Sequence, residues 1–194
     1  MLRAPLLHGQ ITGTIPKTVL AWSDTVIGTE RTNAVAARIA ARHRLEVSAL
    51  RTAESVMSYL VVEDLYQPII DATGDRDAIH KAGLFSANLQ AVGMFVFGFA
   101  RLLGGTKFVY QKTGDLAPRF ANTGTMRCVK ADDHSALLEF QMFPDLICSA
   151  AGFDYRRGLL ATTPLHFGAA RPADVEILGC QARGDAKDVF LCRW

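Results

Sequence analysis

The chain has 194 residues, of which 49% are hydrophobic and 21% are charged, and its formal net charge is +2 at pH 7. This length and apolar content predict one domain over 1–194, with a core large enough to fold without disulfides. The near-neutral charge argues against a nucleic-acid partner, and four cysteines without tight pairing or a signal-peptide pattern predict reduced thiols in the cytoplasm.

The first predicted elements are two helices separated by a glycine. Pro16 is suited to the first turn of a helix over 17–26, and Gly28 ends it. Thr29 is a typical N-cap residue for a second helix over 30–43. The apolar residues of this second helix recur on one face, which predicts packing on that side only.

A short helix and then a long one are predicted next. The short helix covers 62–72 and ends at Gly74, after which Asp75 begins a helix that runs to about Leu103. The most apolar run of the chain, Leu89–Leu103, lies in this long helix and is shorter than the roughly 20 residues that a membrane span requires. The sequence therefore predicts a buried central helix and no membrane span.

The remaining third alternates between helix and strand. It is predicted to contain a short helix over 109–120, two strands over 125–130 and 136–142, a helix from Asp145, and a final β-hairpin over 175–192. Because strands and helices do not alternate regularly, this order indicates an α+β fold. We expect helices packed on one face of an antiparallel sheet, with the C-terminal helix followed by the hairpin.

The last quarter of the chain carries a specific motif. CSAAGFDYRRGLL begins at Cys148, and PADVEILGCQARGDAKDVFLCRW ends at Trp194. This pattern resembles the C-terminal half of the vinyl-four-reductase (4VR-type) domain, the ligand-sensing fold of bacterial phenol- and xylene-responsive activators and a distant relative of TRAPP trafficking subunits. The matching positions are Cys148, Gly152, Phe153, Gly158, Cys180, Gly184, Asp185 and Phe190.

The resemblance implies a pocket between helices and sheet for a small apolar or aromatic molecule, with a few polar anchors. It also implies a non-catalytic sensor that forms a homodimer. Because the chain ends at Trp194 without an output domain, we expect the sensor to signal through a protein partner or through its own oligomer. A TRAPP-like scaffold subunit and a small enzyme for an apolar substrate are the alternatives. The expected ligand-binding residues are Trp22, Tyr59, His80, Phe85, Phe95, Phe97, Phe99, Phe153, Tyr155 and His166.

Relatives of the 4VR domain also carry a zinc site, and zinc accepts thiolate and carboxylate ligands. The corresponding candidates here are Cys148, Glu176, Cys180, Asp188 and Cys192. The chain departs from the family at Asp188, where the second hairpin cysteine would stand, and at Ile177, which occupies the acidic position. The alternative is that the cysteines are small buried hydrophobes.

Other kinds of site have weaker support. The five histidines are scattered without metal-ligand spacing, and His80 is favoured as a solvated helix residue over a haem ligand. The glycines before Lys107 stand in the wrong order for a phosphate loop. The arginines over 31–44 are interpreted as the solvated face of a helix, in preference to a DNA-reading helix. The sequence shows no pairing of a nucleophile with a base that would indicate catalysis.

Overall fold

A computed structural model describes residues 6–88 and 105–194 of the chain. Within this part of the chain it contains eight α-helices and two antiparallel sheets, which confirms the predicted α+β class. The helices are α1 Thr14–Ile27, α2 Thr29–His43, α3 Val47–Leu50, α4 Tyr59–Thr73, α5 Ala78–Phe85, α6 Gly105–Gln111, α7 Thr113–Leu116 and α8 Ala150–Ala161. The strands are β1 Gln10–Thr12, β2 Val56–Ser58, β3 Ala121–Asn122, β4 Gly124–Ala131, β5 Ser135–Met142, β6 Asp174–Gly179 and β7 Asp188–Arg193.

The larger sheet has the strand order β4–β5–β7–β6. Leu138 of β5 lies opposite Phe190 of β7, and Cys192 of β7 lies opposite Val175 of β6. The smaller sheet has the order β2–β1–β3, so β1 pairs with a strand from each half of the chain. The smaller sheet therefore joins the N-terminal helices to the segment that leads into the larger sheet.

Local capping chemistry sets the starts of two helices. The Ser58 hydroxyl accepts the Leu60 N–H at the start of α4, and the Ser149 hydroxyl accepts the Gly152 N–H at 2.9 Å at the start of α8. Each satisfies a backbone donor that the first helical turn leaves free. For this reason α4 begins three residues before the predicted range, and α8 begins five residues after Asp145.

The predicted C-terminal hairpin is confirmed, with a turn more elaborate than expected. After β6 the chain forms a single 3-10 turn over Gln181–Arg183, and Gly184 has a φ of +99°. The Asp185 carboxylate accepts the Cys180 N–H at 2.7 Å and closes the turn. Because a positive φ is readily available only to glycine, Gly184 fixes where the chain reverses.

Helices α5 and α8 approach each other through two glycines. A Cβ atom on Gly158 would lie 2.3 Å from the His80 carbonyl oxygen, and one on Gly83 would lie 2.5 Å from the Tyr155 carbonyl oxygen. Both distances are far below contact distance, so the backbones meet where no side chain intervenes. This crossing fixes α8 against the helical layer.

The buried apolar side chains form two clusters. The larger one lies among α1, α2, α4 and α5, and the smaller one lies between α8 and the larger sheet. In the smaller cluster Phe153 stacks on Phe190 with ring centroids 5.1 Å apart, and the Tyr110 hydroxyl donates to the Leu160 carbonyl at 2.8 Å. No described helix is long and apolar enough to cross a membrane.

The long central helix predicted over 75–103 is observed only in its first part. Helix α5 begins at Ala78 and is followed by a 3-10 turn over Ser86–Asn88. The rest of the predicted helix, including the apolar run from 89 onward, lies outside the described residues.

Candidate functional site

A cavity of about 220 Å³ lies between the helical layer and the larger sheet. Helices α1 and α4 line one side, β4 and β5 line another, and α6, α7 and α8 complete the described wall. The described residues in contact with it are Ile11, Thr14, Ile15, Thr18, Tyr59, Val62, Tyr66, Ser86, Val109, Thr113, Leu116, Ala117, Phe120, Ala121, Thr123, Met126, Phe140, Gly152, Tyr155, Arg156, Leu159, Leu160, Thr162, Thr163 and His166.

Most of this wall is apolar, and several of its hydroxyl groups already donate to main-chain carbonyls. Thr18 donates to the Thr14 oxygen at 2.7 Å, and Thr113 donates to the Tyr110 oxygen at 2.9 Å. These hydroxyls therefore present mainly their methyl groups to the cavity. A wall of this kind favours an apolar molecule, which loses little hydration on entering it.

Of the predicted ligand residues that the structure describes, three line the cavity: Tyr59, Tyr155 and His166. Burial raises the pKa of Tyr155 to about 12, so its phenol stays protonated at neutral pH. Burial lowers the pKa of His166, so its imidazole is neutral at pH 7. Both groups are therefore uncharged polar anchors at the edge of an apolar space.

A half-buried carboxyl, that of Glu63, lies beside this wall. The Tyr59 hydroxyl contacts the Glu63 carboxylate and also lies 2.8 Å from the Ile147 carbonyl oxygen. The hydroxyl of Ser149 forms a further hydrogen bond to Glu63. Burial is the largest cause of a raised pKa at Glu63, and it outweighs the hydrogen bonds that favour the charged form.

Arg156 on α8 supplies a cation to the described cavity wall. Its Nη2 lies 2.7 Å from Oδ2 of Asp188, a side chain with no exposed surface. The guanidinium carbon also lies 4.4 Å from the centre of the Phe140 ring, within the range of a cation–π contact. Its Nε–H is buried and has no hydrogen-bond partner among residues 6–88 and 105–194.

Arg156 is not among the site residues predicted from the sequence. The signal that could have found it is the pair of arginines at 156 and 157 next to the apolar residues Gly158, Leu159 and Leu160, since arginine is rarely buried without a specific partner. Asp188 was predicted as a metal ligand. In the structure its carboxylate instead pairs with Arg156 and accepts the Gln181 N–H, each at 2.7 Å.

The other predicted ligand residues within the described part of the chain lie away from the cavity. Trp22 is buried in the larger core cluster, and Phe85 packs against that cluster. His80 faces the Asp154 carbonyl at 3.4 Å, and Phe153 belongs to the smaller cluster. Phe95, Phe97 and Phe99 lie outside the described residues. A role for any of these residues in binding stays a prediction.

The five predicted zinc ligands do not converge on one point. Glu176 pairs with Arg193 on the outer part of the hairpin, and Asp188 is held by Arg156. Cys192 is fully buried in the smaller core cluster, and burial raises the pKa of its thiol to about 12. Cys148 and Cys180 complete the set, and no group of three possible metal ligands is found in residues 6–88 and 105–194.

Comparison with known proteins gives a likeness at the level of structure. No family model and no curated protein matches the sequence. The H-NOX domain of Shewanella oneidensis in its Fe(II)CO state superposes with a TM-score of 0.68 at 13% identity, covering 94% of this chain and 98% of that one. The Fe(II) unliganded H-NOX protein of K. algicida gives 0.65 at 13% identity, covering 94% and 96%.

An oxygen-binding H-NOX domain related to soluble guanylate cyclases also matches, with a TM-score of 0.64 at 12% identity over 94% of each chain. The fold is that of the H-NOX proteins. At these identities the likeness concerns the fold alone. It spans nearly the whole chain, so both the helical layer and the larger sheet take part in the likeness.

These matches correct two predictions. The resemblance to the 4VR domain and to TRAPP subunits is wrong, because the matching structures are H-NOX proteins over almost the full length. The prediction of zinc is also wrong, because the matched proteins are described by Fe(II) states and by heme and its distortion, not by zinc. The motif positions reflect local geometry, such as the α5–α8 crossing at Gly158 and the turn at Gly184.

The described wall does not fit an iron porphyrin. Pockets for drug-sized ligands have volumes of roughly 300–1,000 Å³, and this cavity has only about 220 Å³. A porphyrin is at least as large as a drug-sized ligand, so the cavity is too small for it. Heme propionates need cations, and Arg156, the cation of the described wall, is already paired with Asp188. Among the chain's five histidines only His166 lines the cavity as described, on a short 3-10 turn.

Proposed function

We propose that this chain is a non-catalytic sensor domain that binds one small, mainly apolar molecule in the cavity between its helical layer and its larger sheet. The observation that carries the proposal is the cavity itself, whose wall is apolar and is built from both layers. A molecule in this space contacts α1 and α4 on one side and β4, β5 and α8 on the other.

The size of the cavity limits the ligand. An engineered apolar cavity of about 150 Å³ stays dry and binds benzene. With about 220 Å³, this cavity has room for one ring and a short substituent. Tyr155 and His166 add uncharged polar groups at the edge of this space, which suits a molecule with at most a small polar substituent.

The position of the cavity explains how binding is reported. A ligand that contacts both layers binds best to the conformation in which the helical layer and the sheet both reach it. Binding therefore increases the population of that conformation. The output then passes to a protein partner or to a second copy of the chain. The H-NOX fold supports this proposal, since one of the matched H-NOX domains is described as oxygen-binding and related to soluble guanylate cyclases.

Isopropylbenzene, a single ring with a short apolar substituent, is the probe for the test. We expect it to raise the melting temperature of the wild-type protein and to give saturable heats in calorimetry. Val62 is buried and lines the cavity, so Val62→Phe should fill the space and abolish binding. Val56→Phe is the matched control, because Val56 is 48% exposed on β2 and should leave binding unchanged.

Two results would contradict the proposal. Equal binding by the Val62→Phe and Val56→Phe proteins would place the probe outside the cavity. Hemin is the second probe, because the likeness to H-NOX structures calls for it. Stoichiometric hemin binding with a Soret spectrum that His166→Ala alters would replace the small apolar ligand by heme.

A further inference from the structure

We infer that the outer face of the larger sheet is an interface between two copies of this chain. The inference goes beyond the proposed function and does not depend on what the cavity binds. It follows from one row of side chains across the sheet, whose charges and apolar groups match those of the same row turned by 180°.

The two faces of the larger sheet carry different side chains. Along a β-strand successive side chains point to opposite faces, and on β5 and β7 the inward ones, such as Leu138 and Phe190, are buried against α8. Leu137 and Leu191 belong to the opposite, outer face, where they lie directly opposite each other and are only partly buried. The outer face of an antiparallel sheet ordinarily carries polar residues, so a pair of leucines at its centre indicates contact with another surface.

The two leucines are part of a row of directly opposed residues that crosses all four strands. From β4 to β6 the row consists of Lys130, Leu137, Leu191 and Glu176. The edge strands keep this difference in charge along their length, because the charged residues of β4 are Arg127 and Lys130 and those of β6 are Asp174 and Glu176. The outer face therefore has a basic edge, an acidic edge and an apolar centre.

This pattern is complementary to itself. A second copy turned about a two-fold axis parallel to the strands places β4 of one sheet over β6 of the other. Lys130 of each copy then faces Glu176 of the other, and Leu137 faces Leu191. The strands of the two sheets stay nearly aligned, as in other face-to-face packed sheets. A surface with a single sign of charge would instead meet like charge at one edge, so the pattern favours a second copy as the occupant.

The edges of the sheet are poorly suited to the alternative, the addition of a strand from another chain. The ladder is interrupted between Cys128 and Lys130 on β4 and between Ile177 and Gly179 on β6. Bulges of this kind on edge strands disrupt the row of backbone groups that an added strand would need. Association through the outer face is therefore favoured over association through an edge.

The size of the outer face is that of a weak interface. Its strands have six or eight residues, so with about 3.4 Å per residue and about 4.8 Å between strands the face measures roughly 19 by 20 Å. Such a face lies at the small end of the range for protein complexes. We therefore expect a dissociation constant in the micromolar range.

Charge reversal at the two ends of the row tests this arrangement by sedimentation velocity over a series of protein concentrations. Lys130→Glu or Glu176→Lys alone places like charges opposite each other on both sides of the two-fold axis. Each should raise the dissociation constant about tenfold or more. Both positions are exposed, so the variants should fold, and Arg38→Glu, an exposed charge reversal on α2, is the matched control that should leave dimerisation unchanged.

Mixing the two variants separates this geometry from a general effect of charge. In an equimolar mixture of the Lys130→Glu and Glu176→Lys proteins, opposite charges face each other again at both ends of the row. We expect this mixture to form a heterodimer about as tight as the wild-type dimer, and the double variant with both changes to dimerise equally well.

Three results would overturn the interface: a wild-type protein that stays monomeric at every concentration, single reversals that dimerise like wild type, or a mixture of the two variants that stays monomeric. These results leave the proposed function untouched, because isopropylbenzene binding in the cavity is measured separately. Conversely, a dimer with the expected charge dependence and no isopropylbenzene binding would support the interface and contradict the proposed ligand.

Discussion

Replacing Asp188 by asparagine should lower the free energy of unfolding by about 3–5 kcal/mol, the usual cost of leaving one member of a buried ion pair alone. Asparagine has nearly the same shape and keeps an oxygen for the Gln181 N–H, which Asp188 accepts at 2.7 Å. The substitution therefore removes the negative charge and puts an amide donor where Oδ2 accepts from Arg156, so the hydrogen bond to the guanidinium is lost with the charge. What remains is the Arg156 guanidinium, 15% exposed, with its counter-charge gone.

The magnitude is checked by urea unfolding followed by circular dichroism, with thermal melting in parallel. For a chain of this size each kcal/mol corresponds to about 2–4 °C, so the melting temperature should fall by about 6–20 °C. The cation–π contact of Arg156 with Phe140 at 4.4 Å is retained in the variant and limits the loss.

Asp133→Asn is the matched control. Asp133 pairs with Lys107 at 2.9 Å, nearly the same distance, but its side chain is 79% exposed and that of Lys107 is 39% exposed. Exposed pairs of this kind contribute about 0–1 kcal/mol. If Asp188→Asn costs no more than Asp133→Asn, burial does not distinguish the two pairs and the reasoning about Arg156 is refuted. The double variant Arg156→Leu, Asp188→Leu should recover most of the loss, because no unpaired charge remains.

Three further predictions concern the core, the pH dependence and the helix crossing. Phe153→Ala, which removes a buried ring, should cost about 3–5 kcal/mol in urea unfolding, whereas Leu178→Ala, at a 53% exposed position, should cost under about 0.5 kcal/mol; equal losses would contradict the assignment of Phe153 to the core. Burial raises the pKa of Glu63 above its ordinary value of 4.5, so its carboxyl contributes stability that is present below pH 4.5 and is lost as the pH rises through the raised pKa. Glu63→Gln should accordingly lose less stability than wild type between pH 4 and pH 8, and parallel stability curves for the two proteins would argue against a raised pKa. Gly158→Ala should destabilise by about 1–3 kcal/mol or more although alanine is the better helix former, because its Cβ would lie 2.3 Å from a carbonyl oxygen of α5; a stabilised variant would show that the crossing is looser than observed.

The local elements were predictable because their signals are local. The glycine at 28 separates α1 from α2, and its φ of +82° is one that glycine adopts without strain. The alternation in the last twenty residues identified the β6–β7 hairpin, and the turn falls at Gly184 as expected. Helix starts were displaced by three to five residues where a serine cap, rather than the apolar pattern, decides the boundary.

The family resemblance failed for a physical reason. Gly158 allows two helices to touch, and Gly184 allows a chain to reverse, so residues of these types recur wherever such geometry is needed. A motif built on them reports a helix crossing and a tight turn more than common ancestry. The H-NOX fold was evident only when the whole arrangement of helices and sheets was compared.

By itself the sequence determined the α+β class, the helices α1, α2 and α4 and the final hairpin, because each depends on periodicity, caps and turns within a few residues. Only the tertiary structure decided that Arg156 pairs with Asp188, 32 residues away, and that Tyr59, Tyr155 and His166 share a cavity while Trp22 and Phe153 do not. Contacts between distant segments depend on how the helical layer and the sheet pack against each other. Local sequence patterns do not show which side chains of distant segments come into contact.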